Sequence, residues 1–175
     1  MSESTVESDG PPEIDAGAAA HIKHSLVNAQ RRNQGILLKL MVGIDERASV
    51  TRLLDGGGHI NWLLGHLATS RDDILQKLGA ERLMANDADA RYGYGSRPLD
   101  EDAAAPLESL LAALERAHQR LLEEFAALDP ARLGATDARG RRLVERLEFD
   151  LWHEAYHLGQ LTLYRKKSGL HSPIG

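Results

Sequence analysis

His153 and His157 stand four residues apart, a spacing that places both imidazoles on one face of a helix. Two imidazoles one turn apart can bind a single metal ion. Far upstream, His59 and His66 lie along one flank of another apolar helical pattern, and one of them could supply a third imidazole. These two are seven residues apart, about 10 Å along a helix axis, so both cannot bind the same ion without distortion. Pairs at such spacings also arise by chance, and it is the second pair that favours a metal site.

The metal site predicted from these histidines has a definite chemistry. Three imidazoles leave at least one coordination position open, which is typical of catalytic rather than structural metal sites. A divalent ion with an open position lowers the pKa of bound water to about 7, or binds a thiol as the thiolate. Either gives a nucleophile at neutral pH in a sequence that contains no cysteine.

Glu154 completes the pattern His-Glu-x-x-His, in which the glutamate of zinc proteases is the general base. The longer protease motif fails here, because Gly159 stands two residues after His157 and no histidine follows at the required place. No edge strand is predicted that could align a peptide, so the sequence argues against a protease. Glu154 remains the first candidate for a general base and Asp150 a weaker one. The alternatives for Glu154 are a hydrogen bond to a metal-binding imidazole and a salt bridge between helices, because a carboxylate near the apolar arc needs a partner.

Four further polar or aromatic residues are candidates for the surroundings of the site. Gln160 follows His157 by three residues and could orient a ligand, and Trp62 could form a wall of the pocket one turn before His66. His118 lies within a leucine stripe, where a satisfied core histidine is favoured over a metal ligand. Asn33 interrupts another apolar stripe, either as a buried register residue or as a hydrogen-bonding residue of the pocket.

Four segments with helical periodicity must position these residues, at 18–42, 59–78, 103–128 and 141–167. No run alternates like a strand, so we predict an all-α four-helix bundle. The link at 79–102 is long enough to return along a bundle about 30 Å tall. We therefore expect up-down-down-up topology, with a long crossover between the second and third helices. Two tyrosines and two glycines at 92–95 suggest a mobile lid within this crossover, with an ordinary connection as the alternative.

The length of 175 residues fits one domain, predicted at 16–170, with a disordered tail at 1–15 and a short tail at 171–175. The absence of cysteine excludes disulfides, cysteine-ligated zinc and a cysteine nucleophile, and is compatible with the cytoplasmic location that we expect. A net charge of -5 gives no reason to expect nucleic acid or an anionic membrane as a partner. No apolar run approaches the ~20 residues that span a bilayer.

Three aromatic residues lie on the flank of the fourth predicted helix that points away from its leucines: Phe149, Trp152 and Tyr156. A cluster of exposed aromatic side chains usually marks an interface or a pocket wall. We therefore expect a homodimer, with a pocket wall as the alternative.

The stretches at 58–67 and 153–161 together resemble the DinB-like (YfiT-like) superfamily of metalloenzymes. That superfamily is a four-helix bundle with up-down-down-up topology, with one metal-binding histidine in its second helix and two in its fourth. The resemblance implies that His66, His153 and His157 bind a divalent ion, usually nickel, zinc or iron, and that His59 is an additional histidine.

The resemblance also implies a range of activities. Members include transferases and isomerases that use low-molecular-weight thiols, and some hydrolases. We therefore expect a metal-dependent hydrolase or thiol S-transferase that acts on a small-molecule substrate, with a low-molecular-weight thiol as a candidate. The alternative is a helical bundle that binds metal without catalysis, for example in a stress response.

Overall fold

The structure, a computed structural model, describes residues 14–53 and 57–173. Its described residues form helices and no named strand, which confirms the predicted all-α fold class. Most of the predicted tail at 1–15 lies outside the described residues, as do residues 174–175. Asp15, at the end of the predicted N-terminal tail, caps the first helix: its side chain accepts a hydrogen bond from the Ala18 amide at 2.9 Å. The helices are α1 (Ala16–Met41), α2 (Glu46–Ser49), α3 (Ile60–Leu78), α4 (Ala88–Tyr92), α5 (Leu107–Ala127) and α6 (Leu143–Lys167).

Two hydrophobic clusters establish how the four long helices run. One cluster joins the last turns of α1 and α6 to the first turns of α3 and α5, and the other joins their opposite ends. Helices α1 and α6 therefore run one way and α3 and α5 the other, which confirms the up-down-down-up topology. The first cluster includes Leu37, Leu40, Ile60, Leu64, Leu107, Leu110, Leu158 and Leu161, and the second includes Leu26, Ile74, Leu78, Leu121, Phe125, Leu143 and Leu147.

The third long helix begins later than predicted. Helicity was expected from residue 103, but Glu101–Ala103 form a separate 3-10 turn and α5 starts at Leu107. Pro106 precedes it with an extended ψ of 131°. Because a proline disfavours the helical conformation of the residue before it, Ala105 cannot continue the earlier turn into α5.

The long crossover between α3 and α5 is fixed to α3 at both of its ends. At the start, the buried Asp72 carboxylate accepts hydrogen bonds from the Leu83 and Met84 amides at 3.0 and 2.9 Å. At the end, Nε2 of His59 donates to the Leu99 carbonyl at 2.9 Å. The crossover is therefore held along the helix that carries His66.

A layer of polar side chains separates the two hydrophobic clusters at mid-height. Each long helix contributes to this layer, with Asn33, Arg71, His118 and Glu154 among its buried polar residues. None of the helices in the described part of the chain is long and apolar enough to cross a membrane.

Candidate metal centre

His66 of α3 meets His153 and His157 of α6 beside this polar layer. One ring nitrogen from each residue can be chosen so that all three lie within 4.8 Å of one another. The ring centroid of His66 is 5.3 Å from that of His153 and 4.7 Å from that of His157, and the two α6 rings are 4.4 Å apart. The structure thus brings together the three imidazoles predicted as ligands, and their binding of a metal stays a prediction.

Hydrogen bonds fix the proton on the outer nitrogen of two of these rings. Nδ1 of His66 donates to the Tyr92 carbonyl at 2.7 Å, and Nδ1 of His157 donates to Oε1 of Gln160 at 2.7 Å. A neutral imidazole protonated at Nδ1 carries its lone pair on Nε2. Both rings therefore have Nε2 free to bind an ion, and such outer partners are typical of metal-binding histidines.

The nitrogens of the two α6 histidines fit a shared cation. Nε2 of His157 lies 2.9 Å from Nε2 of His153. Two lone pairs at this distance repel each other unless a proton or a cation lies between them. Since the Gln160 bond leaves His157 with a lone pair on Nε2, this lone pair either accepts a hydrogen bond from Nε2 of a neutral His153 or is available, with that of His153, to a shared metal ion.

Burial keeps the α6 histidines neutral near pH 7. Burial lowers the pKa of His157 to about 4, although the hydrogen bond that it donates to Gln160 acts in the opposite direction. The pKa of His153 is also lowered, by burial and then by the positive charge that His66 can carry. Neutral imidazole is the form that binds metal ions, so both rings are in the binding form at physiological pH.

Aromatic rings pack against the outer faces of the histidines. Trp62 stacks on His66 with ring centroids 5.2 Å apart and planes 3° apart. Phe149 stacks in the same way on His153, at 5.9 Å and 8°. Beside them lies a cavity of about 370 Å³, lined by His66, Thr69, Ser70, Asp73, Asp89, Gly93, Tyr94, Phe149, Asp150 and His153. Trp62 does not line this cavity beside the histidines, so its role as a pocket wall stays a prediction.

Gly65 sets the position of the crossover against the centre. A Cβ atom at Gly65 would lie 2.2 Å from the ring of Tyr92, so only glycine lets Tyr92 pack against α3 at this point. Tyr92 is 2% exposed and its carbonyl holds His66. Tyr92 is therefore a fixed support rather than part of the expected lid, whereas Tyr94 is 98% exposed at the cavity.

Glu154 is a structural residue in this geometry. Its Oε1 accepts from Nε and Nη2 of Arg71 at 2.9 and 2.5 Å, and its Oε2 accepts from Asn33 at 3.2 Å. Glu154 and Arg71 are 2% and 1% exposed. With both oxygens engaged in the interior, this carboxylate is poorly placed to take a proton from a substrate. The geometry supports the alternative interpretation, a salt bridge between helices, and the general-base role of Glu154 stays a prediction that nothing here supports.

The remaining candidates divide between the centre and its surroundings. Asp150 lines the cavity, but Lys77 binds it at 2.5 Å, and burial raises the pKa of Asp150. Gln160 orients His157, which fits its predicted role. His118 does not belong to the three-histidine group, and burial lowers its pKa.

His59 caps α3 instead of joining the centre. Its Nδ1 accepts from the Trp62 amide at 3.0 Å, while its Nε2 donates to Leu99. Both nitrogens of this buried ring are thus used by the backbone. Burial lowers the pKa of His59, in keeping with a neutral cap.

Sequence reasoning missed two residues that shape the centre. Arg71 follows Leu67 by four residues, so a charged residue on the inner arc of its helix could have been recognised as the partner of Glu154. The Tyr92 carbonyl gave no such signal, because a backbone group in a crossover leaves no mark in the side-chain pattern.

The aromatic flank of α6 is exposed in the single chain. Phe149, Trp152 and Tyr156 are 58%, 61% and 52% exposed. Phe149 also lines the cavity beside the histidines, and Trp152 lines a separate cavity of about 540 Å³, so at least two of the three form pocket walls. The expected homodimer stays a prediction, which sedimentation at micromolar concentration tests.

Comparison with known proteins places this geometry in a family. A search of curated proteins finds no match to the chain. The family model of the DinB superfamily matches residues 29–161, which include all three converging histidines and all four long helices in whole or in part. The chain therefore belongs to the DinB superfamily.

Proposed function

We propose that the chain is a metal-dependent enzyme in which His66, His153 and His157 hold a divalent ion of nickel, zinc or iron. The observation that carries this proposal is the convergence of three imidazoles, two of which have their outer nitrogens held by acceptors. Membership of the DinB superfamily supports the same interpretation.

The proposed reaction is hydrolysis or the transfer of a small thiol. Because three neutral imidazoles leave the charge of a divalent ion uncompensated, the bound ion would lower the pKa of water or of a thiol beside it. The chain has no cysteine, so in the second reaction the thiol would come from a small molecule. A cavity of about 370 Å³ suits a small ligand rather than a folded partner.

The chain's own residues would hold and shield the reacting groups. Gln160 and the Tyr92 carbonyl keep two imidazoles in the orientation that presents Nε2. Trp62 covers one face of His66 and limits the access of water from that side. We retain a cytoplasmic location and a small-molecule substrate as parts of the proposal.

A bundle that binds metal without catalysis is the second candidate. The ion pair between Glu154 and Arg71 favours it, because this pair engages the first candidate for a general base. An enzyme of the proposed kind can still act if the ion alone lowers the pKa of its nucleophile. The two candidates therefore differ in turnover and not in metal content.

Metal analysis of purified variants tests the shared part of both candidates. We expect about one divalent ion per chain, lost in His66→Ala and His157→Ala. The variant His59→Ala should keep its metal if it stays folded, and His24→Ala is a control at an exposed histidine. Metal loss from His59→Ala with retention in His66→Ala would show that the wrong histidine of α3 was chosen. A screen of the loaded protein with small thiols and esters then separates enzyme from binding protein.

A further inference from the structure

The cavity beside the three histidines extends along α3 towards Asp73. Asp73 follows His66 by seven residues, which is about 10 Å or two helical turns. Both residues line the same cavity, with Phe149 of α6 and Tyr94 of the crossover as further walls. A ligand that reacts at the histidines can therefore reach Asp73 only with its far end.

Asp73 differs from the other acids of this region in having no direct partner. Asp89 accepts two hydrogen bonds from Arg82 at 2.5 Å, and Asp150 is bound by Lys77 at 2.5 Å. Within residues 14–53 and 57–173, the Asp73 carboxylate forms neither a hydrogen bond nor an ion pair. Asp73 is exposed, and Lys77 and Arg82 act on its carboxylate only through space. The carboxylate is therefore open to a direct contact with a ligand in the cavity.

The aromatic walls favour the same kind of ligand. Tyr94 is 98% exposed and Phe149 is 58% exposed, so each ring can face a molecule in the cavity. The face of an aromatic ring attracts a cation. An ammonium group suits both the rings and the carboxylate, whereas a ligand carboxylate or phosphate would be repelled by Asp73.

We propose that this cavity selects substrates whose far end carries a cationic amine, and that Asp73 is the residue that determines this specificity. The inference rests on the proposed function, since the histidines define the reacting end of the substrate. The separation of about 10 Å implies an amine several bonds away from the reacting group. The same separation makes Asp73 a residue for recognition rather than a base at the metal.

Binding of two thiols of equal length tests the proposal. Cobalt(II)-loaded protein is titrated with an ω-aminohexanethiol and with an ω-hydroxyhexanethiol, and the thiolate-to-cobalt absorption reports each affinity. We expect the aminothiol to bind about five- to tenfold more tightly, as for one charged hydrogen bond that is partly open to solvent. Asp73→Asn should remove this preference without changing the affinity for the hydroxythiol. Asp87→Asn, at an exposed acid outside the cavity, should keep the preference.

The outcomes separate this inference from the proposed function. Equal binding of the two thiols by the cobalt-loaded protein would overturn the inference and leave the metal site standing. A protein that takes up no cobalt would overturn the proposed function instead. In that case, NMR titration of the metal-free protein with hexylammonium and hexanol decides the inference. Shifts of the Asp73 and Tyr94 amides with the amine alone support it, and equal or absent shifts overturn it.

Discussion

His153 and Glu154 are neighbours in the sequence, yet they belong to two polar regions with opposite properties. His153 faces a cavity, is partly exposed, and has a nitrogen directed at a second histidine. Glu154 lies in the interior, where Arg71 and Asn33 engage both of its oxygens. The comparison shows that one motif can supply histidines to a cluster beside a cavity on one face of a helix and an interhelical contact on the other.

Breaking the buried ion pair between Glu154 and Arg71 should have the largest effect on stability. Glu154→Gln leaves the charge of Arg71 buried without its counter-ion, so the free energy of unfolding should fall by about 3–5 kcal/mol. Metal stoichiometry should be unchanged at temperatures where the variant stays folded. Urea unfolding and metal analysis of the same samples measure the two effects.

A double variant provides the matched control for this pair. Arg71→Met combined with Glu154→Leu removes both charges, and we expect it to recover most of the lost stability. A Glu154→Gln variant with wild-type stability and greatly reduced turnover would instead restore the general-base interpretation.

Breaking the support of the histidine centre should change metal affinity and not stability. Gln160→Ala removes the acceptor of the His157 Nδ1 proton, so metal affinity should fall about 10- to 100-fold. Gln76→Ala, at an exposed position of α3, is the control and should bind metal normally. Competition with a chromophoric chelator measures the affinity, and a change of less than twofold in Gln160→Ala would contradict the role of Gln160.

Alanine substitutions of two helical glycines, Gly65 and Gly35, test the contact between the crossover and α3. Gly65→Ala forces the Tyr92 ring aside, so the free energy of unfolding should fall by about 1–3 kcal/mol and metal affinity should fall with it. Gly35 is also helical but has no atom within 4 Å of an added Cβ. Gly35→Ala should therefore raise stability by roughly 0.5–1 kcal/mol. Thermal melts measure both effects. Melting temperatures that shift in the same direction in the two variants would argue against the steric role of Gly65.

The smallest effect concerns the pH dependence of stability. Burial lowers the pKa of His59 in the folded chain below its unfolded value of about 6.5, so the unfolded state binds more protons in this range. The stabilisation is complete above about pH 6.5 and is lost as the pH falls towards the folded pKa. One such group contributes at most about 1.4 kcal/mol per pH unit.

Replacing His59 by another helix-capping residue isolates its part of this dependence. His59→Asn should make the loss of stability between pH 7 and 5 less steep, whereas exposed His24→Asn should not alter it. Urea unfolding at a series of pH values gives the slopes. Equal slopes for wild type and His59→Asn would show that His59 is not a neutral cap.

Periodicity within single helices predicted the bundle, and the length of the link at 79–102 predicted its topology. Periodicity left His59 and His66 as alternatives, and the resemblance to the DinB-like superfamily favoured His66. Contacts between helices were harder to predict, because they depend on how each helix is rotated against its neighbours. Glu154 was expected near the apolar arc, but the sequence could not identify Arg71 as its partner. The support of His66 by a backbone carbonyl was not predictable either, since it depends on the path of the crossover around Gly65.

Helix α6, which packs against α1, is the last helix of the bundle to be synthesised. Helix α1 ends at Met41, and the helix that covers its inner face does not begin until Leu143. A ribosome-bound chain that has made only α1 to α5 lacks both this cover and two of the three histidines. Such a nascent chain exposes apolar surface to chaperones but cannot yet hold an ion through the full centre. If the three histidines hold an ion as proposed, loading of the full site would follow the synthesis of α6.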